Sequence, residues 1–428
     1  MAKVNLIGSA SKSISLEASF PLHVKRTELA IVLLLFVFVL CCDPFISTSY
    51  VPASLRISIE GSVLLLALAI NLHYNRWGRC YLWLITITFL FVCFPILGTD
   101  TVLKVVSFYN KMVFLILVIG LLFSSIEVLR TFIIIWVVFW RLICYLSIIA
   151  FIGYLTHLIP FSYFEFGDIN AGSAYTYMHN SVLGNIVTKK MFGVEIGRVA
   201  GYIYEPGIIG FFYGFNVLVS RRWIADAKSA RKFSFLNFAA GLTTLSMSLI
   251  FFLLFFLFYK KMFSGKKFVI ALKVSLLTPV IAGIVFYALS SELMVFSSSA
   301  DRIIRLELAM DIIANNNWLT LLFGNGIGVA LEQGGMGISS AIINIFVERG
   351  AITLLFIGFM FSKFLSHNKW LLFYLFYYSF MFEMFWYPVF LLGIAIAYVH
   401  SQRDVSIKQE SSRYIPSSRS FQMDEVVV

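Results

Sequence analysis

Long apolar runs separated by short polar segments dominate the chain. Several runs, such as residues 29–46 and 268–289, approach or exceed the roughly 20 residues that cross the hydrocarbon core of a membrane. Inside lipid, every backbone N–H and C=O needs a partner within the protein, so each run is predicted to be a helix. The pattern predicts an all-α polytopic membrane protein with about 12 transmembrane helices.

Two apolar stretches, residues 233–259 and 370–399, are too long for one comfortable crossing and short for two. We expect each to form a hairpin of two short helices, turning near residues 243–248 and 383–388. The predicted spans are residues 29–47, 57–74, 81–98, 102–124, 131–157, 201–220, 233–245, 246–259, 268–290, 340–362, 370–384 and 385–399.

Basic residues decide the predicted orientation of these helices. Lysine and arginine outnumber acidic residues 33 to 22, and they cluster between the apolar runs, as in residues 221–232, 260–267 and 403–419. Cytoplasmic loops carry such an excess, and the two hairpins keep every cluster on that side. Both termini are therefore predicted to be cytoplasmic, and two long loops, about 158–200 and 291–339, face the other side. In a Gram-negative bacterium that side is the periplasm.

The composition agrees with this predicted membrane topology and excludes some classes of function. Sixty per cent of the residues are hydrophobic and 13% are charged, against about half and a quarter in a soluble protein. Membrane topology explains the net charge of +11, so no nucleic-acid partner is predicted. No metal-ligand or cofactor motif is visible in the sequence. We divide the chain into a cytoplasmic segment 1–28, a membrane domain 29–400 and a polar tail 401–428, which is expected to be disordered.

The first long loop ends in the sequence GRVAGYIYEPG at residues 197–207. Pro206 suits the first turn of a helix, which would place Glu205 at the positive end of that helix. One interpretation is a helix cap beside an arginine that only sets topology. The other has Arg198 holding an anionic group, with Glu205 acting as a base or as a hydroxyl-binding group and Tyr204 contacting substrate.

The second long loop contains an amphipathic helical pattern at residues 301–313, in which Arg302 and Arg305 share one face. They form either a solvated face, with Asp301 paired to Arg305, or an anion-binding face. The glycine-rich sequence at 324–328 predicts a tight turn that carries the loop back to the membrane.

Two acidic residues, Glu348 and Glu383, lie near the ends of apolar spans. An ionisable group in such a position is a functional candidate by default, although it can also reach the membrane interface. Both are therefore candidate substrate-binding residues.

Three segments together resemble the O-antigen polymerases, the Wzy-type enzymes. The Arg-x-x-Gly-x-x-x-Glu-Pro-Gly sequence at 198–207 is similar to their hallmark, and so is Leu-Thr-Thr-Leu-Ser at 242–246. Residues 305–326 resemble a segment that polymerases share with O-antigen ligases. The ligases carry a histidine at the position of Ser339, eleven residues before Gly350, so its absence favours a polymerase.

The resemblance implies a metal-independent glycosyltransferase in the bacterial inner membrane, with its active site facing the periplasm. Its substrates would be undecaprenyl-diphosphate-linked oligosaccharide repeat units, and its other partners membrane lipids and a chain-length regulator. Arg198, Glu205 and Arg305 are the expected catalytic residues, with Arg302 as a helper. The alternatives are an O-antigen ligase and a flippase for the same lipid-linked sugars, although no internal repeat typical of transporters is visible.

Overall fold

The structure is a computed structural model that describes part of the chain. The described ranges are residues 26–42, 113–122, 126–160, 162–165, 177–191, 194–203, 205–262, 297–326, 328–334, 337–338, 340–365, 368–380 and 387–414, with isolated positions between 45 and 65. The predicted spans 81–98 and 268–290 and most of 57–74 lie outside the described residues, as do Tyr204, Ser339 and Glu383.

The described part is mostly helical, as the apolar pattern predicts. Its helices are α1 Arg26–Leu40, α2 Val113–Leu122, α3 Ile126–Leu155, α4 Pro206–Trp223, α5 Ala227–Thr243, α6 Met247–Met262, α7 Ser297–Ala314, α8 Trp318–Phe323, α9 Val329–Gly334, α10 Ala341–Leu365, α11 Lys369–Ser379 and α12 Pro388–Tyr414. Of these, α3 and α10 are long and apolar enough to cross a membrane.

The first long loop contains a sheet, so the expectation of an all-α fold is wrong for this segment. Strands β1 Ser162–Glu165, β2 Tyr177–Ser181, β3 Gly184–Met191 and β4 Val194–Gly201 form an antiparallel meander in that order. In the best-buried pair, Ile186 lies opposite Val199, and both side chains are fully buried. β-branched residues that face each other across two strands stabilise a sheet. The sheet was not predicted, because its strands are too short to leave a long apolar run in the sequence.

The polar tail also departs from its prediction, because α12 continues as a helix through Tyr414. Extending a helix that already exists adds one hydrogen bond per residue and avoids the cost of nucleation. Residues 401–414 include good helix formers such as arginine, lysine, glutamine and glutamate, so the helix extends past the apolar part. Residues 415–428 lie outside the described part.

The core of the bundle is rich in large aromatic side chains and contains a buried chain of hydrogen bonds. Trp136 of α3 donates through Nε1 to Asn216 Oδ1 of α4 at 2.8 Å. The Asn216 side-chain amide donates to Asn237 Oδ1 of α5 at 2.9 Å, and Asn237 donates to the Phe233 carbonyl. These bonds satisfy polar groups that would be costly to bury alone, and they fix α3, α4 and α5 relative to one another.

The predicted hairpin of residues 233–259 is present as α5 and α6, which are joined at residues 244–246. Helix α11 runs antiparallel to α6, because Tyr377 Oη donates to the Ser248 carbonyl at 3.1 Å while the Trp370 and Phe256 rings lie 5.0 Å apart. Helix α10 begins beside the end of α11, where Ser340 Oγ donates to the Ser379 carbonyl. The turn 244–246, the end of α11 and the start of α10 therefore lie at one end of the bundle.

Basic side chains lie at the opposite end. They are exposed at the end of α4, the start of α5 and the start of α11, at Arg221, Arg222, Lys228, Arg231, Lys232 and Lys369. The helices alternate in direction, so residues distant in sequence meet at the same end. The two long polar segments join the bundle at the other end, one leading into α4 and one into α10.

Candidate functional site

Arg198 lies on β4 and points into the junction between the sheet and the bundle. Its side chain is only 9% exposed, and its Nε donates a hydrogen bond to the Thr244 carbonyl at 3.2 Å. Thr244 is the C-cap of α5, and carbonyl groups at the end of a helix lack partners within the helix. The guanidinium group satisfies one of these carbonyls, and this contact fixes its position.

Glu205 occupies the N-cap position of α4, and Pro206 is the first residue of that helix, as the sequence predicts. The Glu205 side chain is half-buried and makes no capping hydrogen bond. The helix-cap interpretation is therefore met by the position of Glu205 and not by a side-chain hydrogen bond. A carboxylate at the positive end of a helix is stabilised in its charged form, and that form can accept a proton or a hydroxyl hydrogen bond.

Helix α4 lies close to the turn that joins α5 and α6. A Cβ atom on Gly210 would lie 3.2 Å from Ser246 Cβ and 3.3 Å from Thr244 Oγ1, so glycine permits this approach. Within the turn, Thr244 Oγ1 donates to the Gly241 carbonyl, and Leu245 adopts a positive φ of 45°. The segments 198–207 and 242–246, which carry the sequence resemblance, are therefore in contact.

Arg305 lies on α7 in the second long loop, where an amphipathic helix was predicted. Its Nη1 donates to the Gly337 carbonyl at 2.6 Å, and the side chain is partly exposed. Arg302 lies one turn earlier on the same helix. Helix α7 is held against α9 and α10 by a separate small core of Ala309, Ile312, Val329, Ala330, Ile338 and Val347.

Helix α10 is interrupted at Gly350, whose φ of 77° and ψ of 172° are not helical. The break frees carbonyl groups in the preceding turn, and the glycine-rich turn 324–328 supplies donors to them. Asn325 N donates to the Val347 carbonyl, and Gly326 N donates to the Glu348 carbonyl, both at 3.0 Å. The turn thus caps the first half of α10, which explains its glycine content better than a simple return to the membrane.

Glu348 links this turn to α10 through its side chain. It is buried, 8% exposed, and its Oε1 accepts a hydrogen bond from Gly328 N at 2.7 Å. The side chain therefore reaches into the protein rather than to a membrane interface. This hydrogen bond stabilises the position of the second loop.

Arg349, the next residue, is a buried cation that the sequence analysis missed. It is only 6% exposed and lies between Glu348 and the helix break at Gly350. The sequence signal that could have identified Arg349 is the succession of an acidic residue, a basic residue and a glycine inside an apolar run. Ionisable residues inside such runs are rare and mark functional positions.

The structure forms two groups of candidate residues at the same end of the bundle. Arg198 and Glu205 lie with the turn 244–246, while Glu348 and Arg349 lie at the break in α10, where the loop that carries Arg305 is anchored. Each group contains a buried cation, which is suited to an anionic ligand such as phosphate. Comparisons of the chain with protein-family models, with curated proteins and with solved structures give no match.

Proposed function

We propose that the chain is an O-antigen polymerase. It would be a metal-independent glycosyltransferase that joins undecaprenyl-diphosphate-linked oligosaccharide repeat units at the periplasmic face of the bacterial inner membrane. The main support is the contact of Arg198 with the turn 244–246, at the N-terminal end of α4 where Glu205 lies. The contact joins the two segments that resemble the polymerases, and it orients a cation where an anionic lipid diphosphate could bind.

In the proposed reaction, a hydroxyl oxygen of one repeat unit attacks the anomeric carbon of the growing chain. The new carbon–oxygen bond forms as the bond from that carbon to the diphosphate breaks, and the lipid diphosphate leaves with the bonding electrons. Arg198 and Arg305 would stabilise the negative charge on the leaving group, with Arg302 as a helper. Glu205 would accept the proton of the attacking hydroxyl. Glu348 would bind substrate beside the second long loop, which its side chain also holds in place.

The proposal includes a topology of about 12 transmembrane helices with both termini in the cytoplasm. Its support is the distribution of charge in the bundle, because the exposed basic residues of α4, α5 and α11 lie at one end. The sheet and the second long loop join the other end, as a periplasmic site requires.

One observation favours a second candidate, a transporter of the same lipid-linked sugars. The interruption of α10 at Gly350, beside the buried Glu348 and Arg349, resembles the discontinuous helices at which transporters bind their substrates. A ligase is disfavoured because Ser339 replaces the histidine of that family.

Alanine substitutions at Arg198 and Arg305 test the proposed roles. Each variant should insert into the membrane at the normal level and yield surface glycan that carries a single repeat unit. Arg221→Ala is the matched control, because it removes an exposed arginine at the opposite end and should leave the glycan ladder unchanged. Normal ladders from both test variants would refute the proposed roles.

The purified protein in vesicles separates the candidate functions. Given lipid-linked repeat units, a polymerase lengthens the chains on the lipid, whereas a flippase moves the units across the bilayer without lengthening them. A ligase transfers glycan to a lipid A–core acceptor, and such transfer without chain growth would replace the proposed function.

A further inference from the structure

Arg141 is a cation in the middle of an apolar helix. It lies halfway along α3, which is long and apolar enough to cross a membrane. Ionisable residues within such a helix are rare, and they mark binding or functional positions by default. The proposed reaction does not use this arginine, so its role has to be sought in its surroundings.

The guanidinium group of Arg141 lies over the ring of Phe233 on α5, with Cζ 5.8 Å from the ring centre. Phe233 is buried and directly follows Arg231 and Lys232, two exposed side chains at the basic end of the bundle. The Arg141 side chain therefore extends from the apolar part of α3 to the level of these basic residues. Long basic side chains near the end of a span place their charge at the lipid headgroups in this way.

The contact with Phe233 leaves the hydrogen-bond donors of Arg141 available. A cation–π contact is made through the flat face of the guanidinium group, whereas its five N–H donors lie in the plane. The side chain is half-buried, and it donates no hydrogen bond to any residue that the structure describes. A charge that leaves water without a counter-charge is costly, so these donors favour an anionic partner.

The segment that leads into α5 adds to the positive charge. Residues 221–232 contain five basic residues and one acidic residue, Asp226. Asp226 caps α5 by accepting hydrogen bonds from the backbone N–H groups of Lys228 and Ser229. Arg231 and Lys232 form no ion pair with a described residue. This excess of positive charge favours an anionic ligand over a zwitterionic one.

An exposed apolar face of α3 continues from Arg141 toward the end of the helix that precedes the sheet. Leu142, Tyr145 and Ile149 are each about half exposed, and their spacing of three and four residues places them on one side of the helix. Lipid tails are as apolar as leucine and can cover this face, whereas a free phosphate ion cannot. A cation beside an apolar face matches a phospholipid, in which a charged head and acyl chains are joined.

We propose that the surface between α3 and the start of α5 binds an anionic phospholipid. Arg141 donates hydrogen bonds to the phosphate, Arg231 and Lys232 contact the headgroup from the exposed side, and the apolar face of α3 contacts the acyl chains. In the proposed topology, this lipid lies in the cytoplasmic leaflet. The site requires only that the bundle crosses a membrane, so it does not depend on the glycosyltransferase activity.

The test is native mass spectrometry of the full-length protein after exchange into detergent with phosphatidylglycerol and phosphatidylcholine. The wild type should retain phosphatidylglycerol in preference to phosphatidylcholine. Arg141→Gln should weaken this binding by about 10-fold to 100-fold, because hydrogen bonds between a cation and a phosphate are lost. Arg141→Lys keeps the charge but loses the planar donor set, so its binding should lie between the two.

Arg221→Gln is the matched control, because it removes an exposed positive charge at the same end of the bundle but on α4. It should bind phosphatidylglycerol like the wild type. Added phosphatidylglycerol should raise the thermal midpoint of the wild type and of this control more than that of Arg141→Gln, since a ligand of the folded state stabilises it by mass action. Inorganic phosphate should raise none of these midpoints.

Equal weakening in Arg141→Gln and Arg221→Gln would show that lipid is attracted by the overall charge, and it would overturn the proposed site. Equal retention of the two lipids by the wild type, or displacement of the lipid by inorganic phosphate, would also overturn it. The binding is measured without turnover. A protein that retains phosphatidylglycerol as expected but does not lengthen chains would keep this site and lose the proposed function, so the two failures are distinguishable.

Discussion

Substituting alanine for Gly350 should weaken the attachment of the second long loop to α10. The backbone at Gly350 has a φ of 77° and a ψ of 172°, a region that is almost restricted to glycine. A Cβ atom there would lie 2.2 Å from the Leu322 carbonyl oxygen and 2.6 Å from Gly324 N. Both are backbone atoms, so no side-chain rotation relieves the contact.

The chain can respond by accepting strain or by giving up the turn. Strain in this backbone region costs about 1–3 kcal/mol before the steric contacts are added. Detachment breaks four hydrogen bonds: Asn325 donates through N and through Nδ2 to the Val347 carbonyl, Gly326 N donates to the Glu348 carbonyl, and Gly328 N donates to Glu348 Oε1. At about 1 kcal/mol for each bond, detachment costs about 4 kcal/mol.

Whether the chain accepts the strain or releases the turn, the free energy needed to open the turn 324–328 falls by about 3 kcal/mol. Hydrogen exchange followed by mass spectrometry in nanodiscs measures this effect directly. Peptides that cover residues 324–328 should exchange more than 100-fold faster, because each 1.4 kcal/mol is a factor of ten. The assay reads the turn itself, so it does not depend on the proposed reaction.

Gly358→Ala is the matched control, since it adds the same methyl group to the same helix. Its Cβ meets nothing within 4 Å, so it should stabilise α10 by about 0.5–1 kcal/mol. Exchange in the turn should then equal that of the wild type. Unchanged exchange in Gly350→Ala, or equal acceleration in both variants, would refute the claim that the geometry at Gly350 holds the turn.

Two further predictions concern other parts of the bundle. Asn216→Leu leaves the partner atoms of Trp136 and Asn237 buried without hydrogen bonds, so it should lower stability by about 2–4 kcal/mol, measured as a lower thermal midpoint in detergent. At the exposed start of α5, hydrogen bonds from the Ser229 side chain and from the backbone N–H groups of Ser229 and Lys228 lower the pKa of Asp226. The charged cap therefore contributes stability above the usual aspartate pKa and loses it as pH falls through the lowered value. Asp226→Ala should reduce the thermal midpoint at pH 7, and this difference should disappear in acid; a gap that does not depend on pH would contradict the assignment.

Much of the helical arrangement could be predicted from local pattern. The hairpin turn at 244–246 lies where the basic clusters on either side required it, and α4 begins at Pro206 because proline suits a first turn. The glycine turn at 324–328 was also predicted, since glycine accepts the positive φ values found at Gly324, Gly326 and Gly328. These features depend on a few neighbouring residues, so the sequence carries them directly.

The site was predictable only in part. Glu348 was identified as an ionisable residue in an apolar span, but its bond to Gly328 N joins residues that are 20 positions apart. The sheet escaped prediction because its strands are short and their pairing, such as Ile186 with Val199, joins different parts of the loop. The catalytic roles of Arg198, Glu205 and Arg305 stay predictions. The same holds for the substrate-binding roles of Arg302, Tyr204, Glu348 and Glu383.

By itself, the sequence determined most of the apolar helices that the structure describes, because periodicity, proline and glycine act over one or two turns. Tertiary structure alone decided that Arg198 meets the carbonyl of Thr244, and that a turn from the second loop caps the broken α10. Backbone groups freed at helix ends accept any suitable donor that packing brings near. No local sequence pattern identifies that donor, so the partners of these groups are determined only when the helices pack.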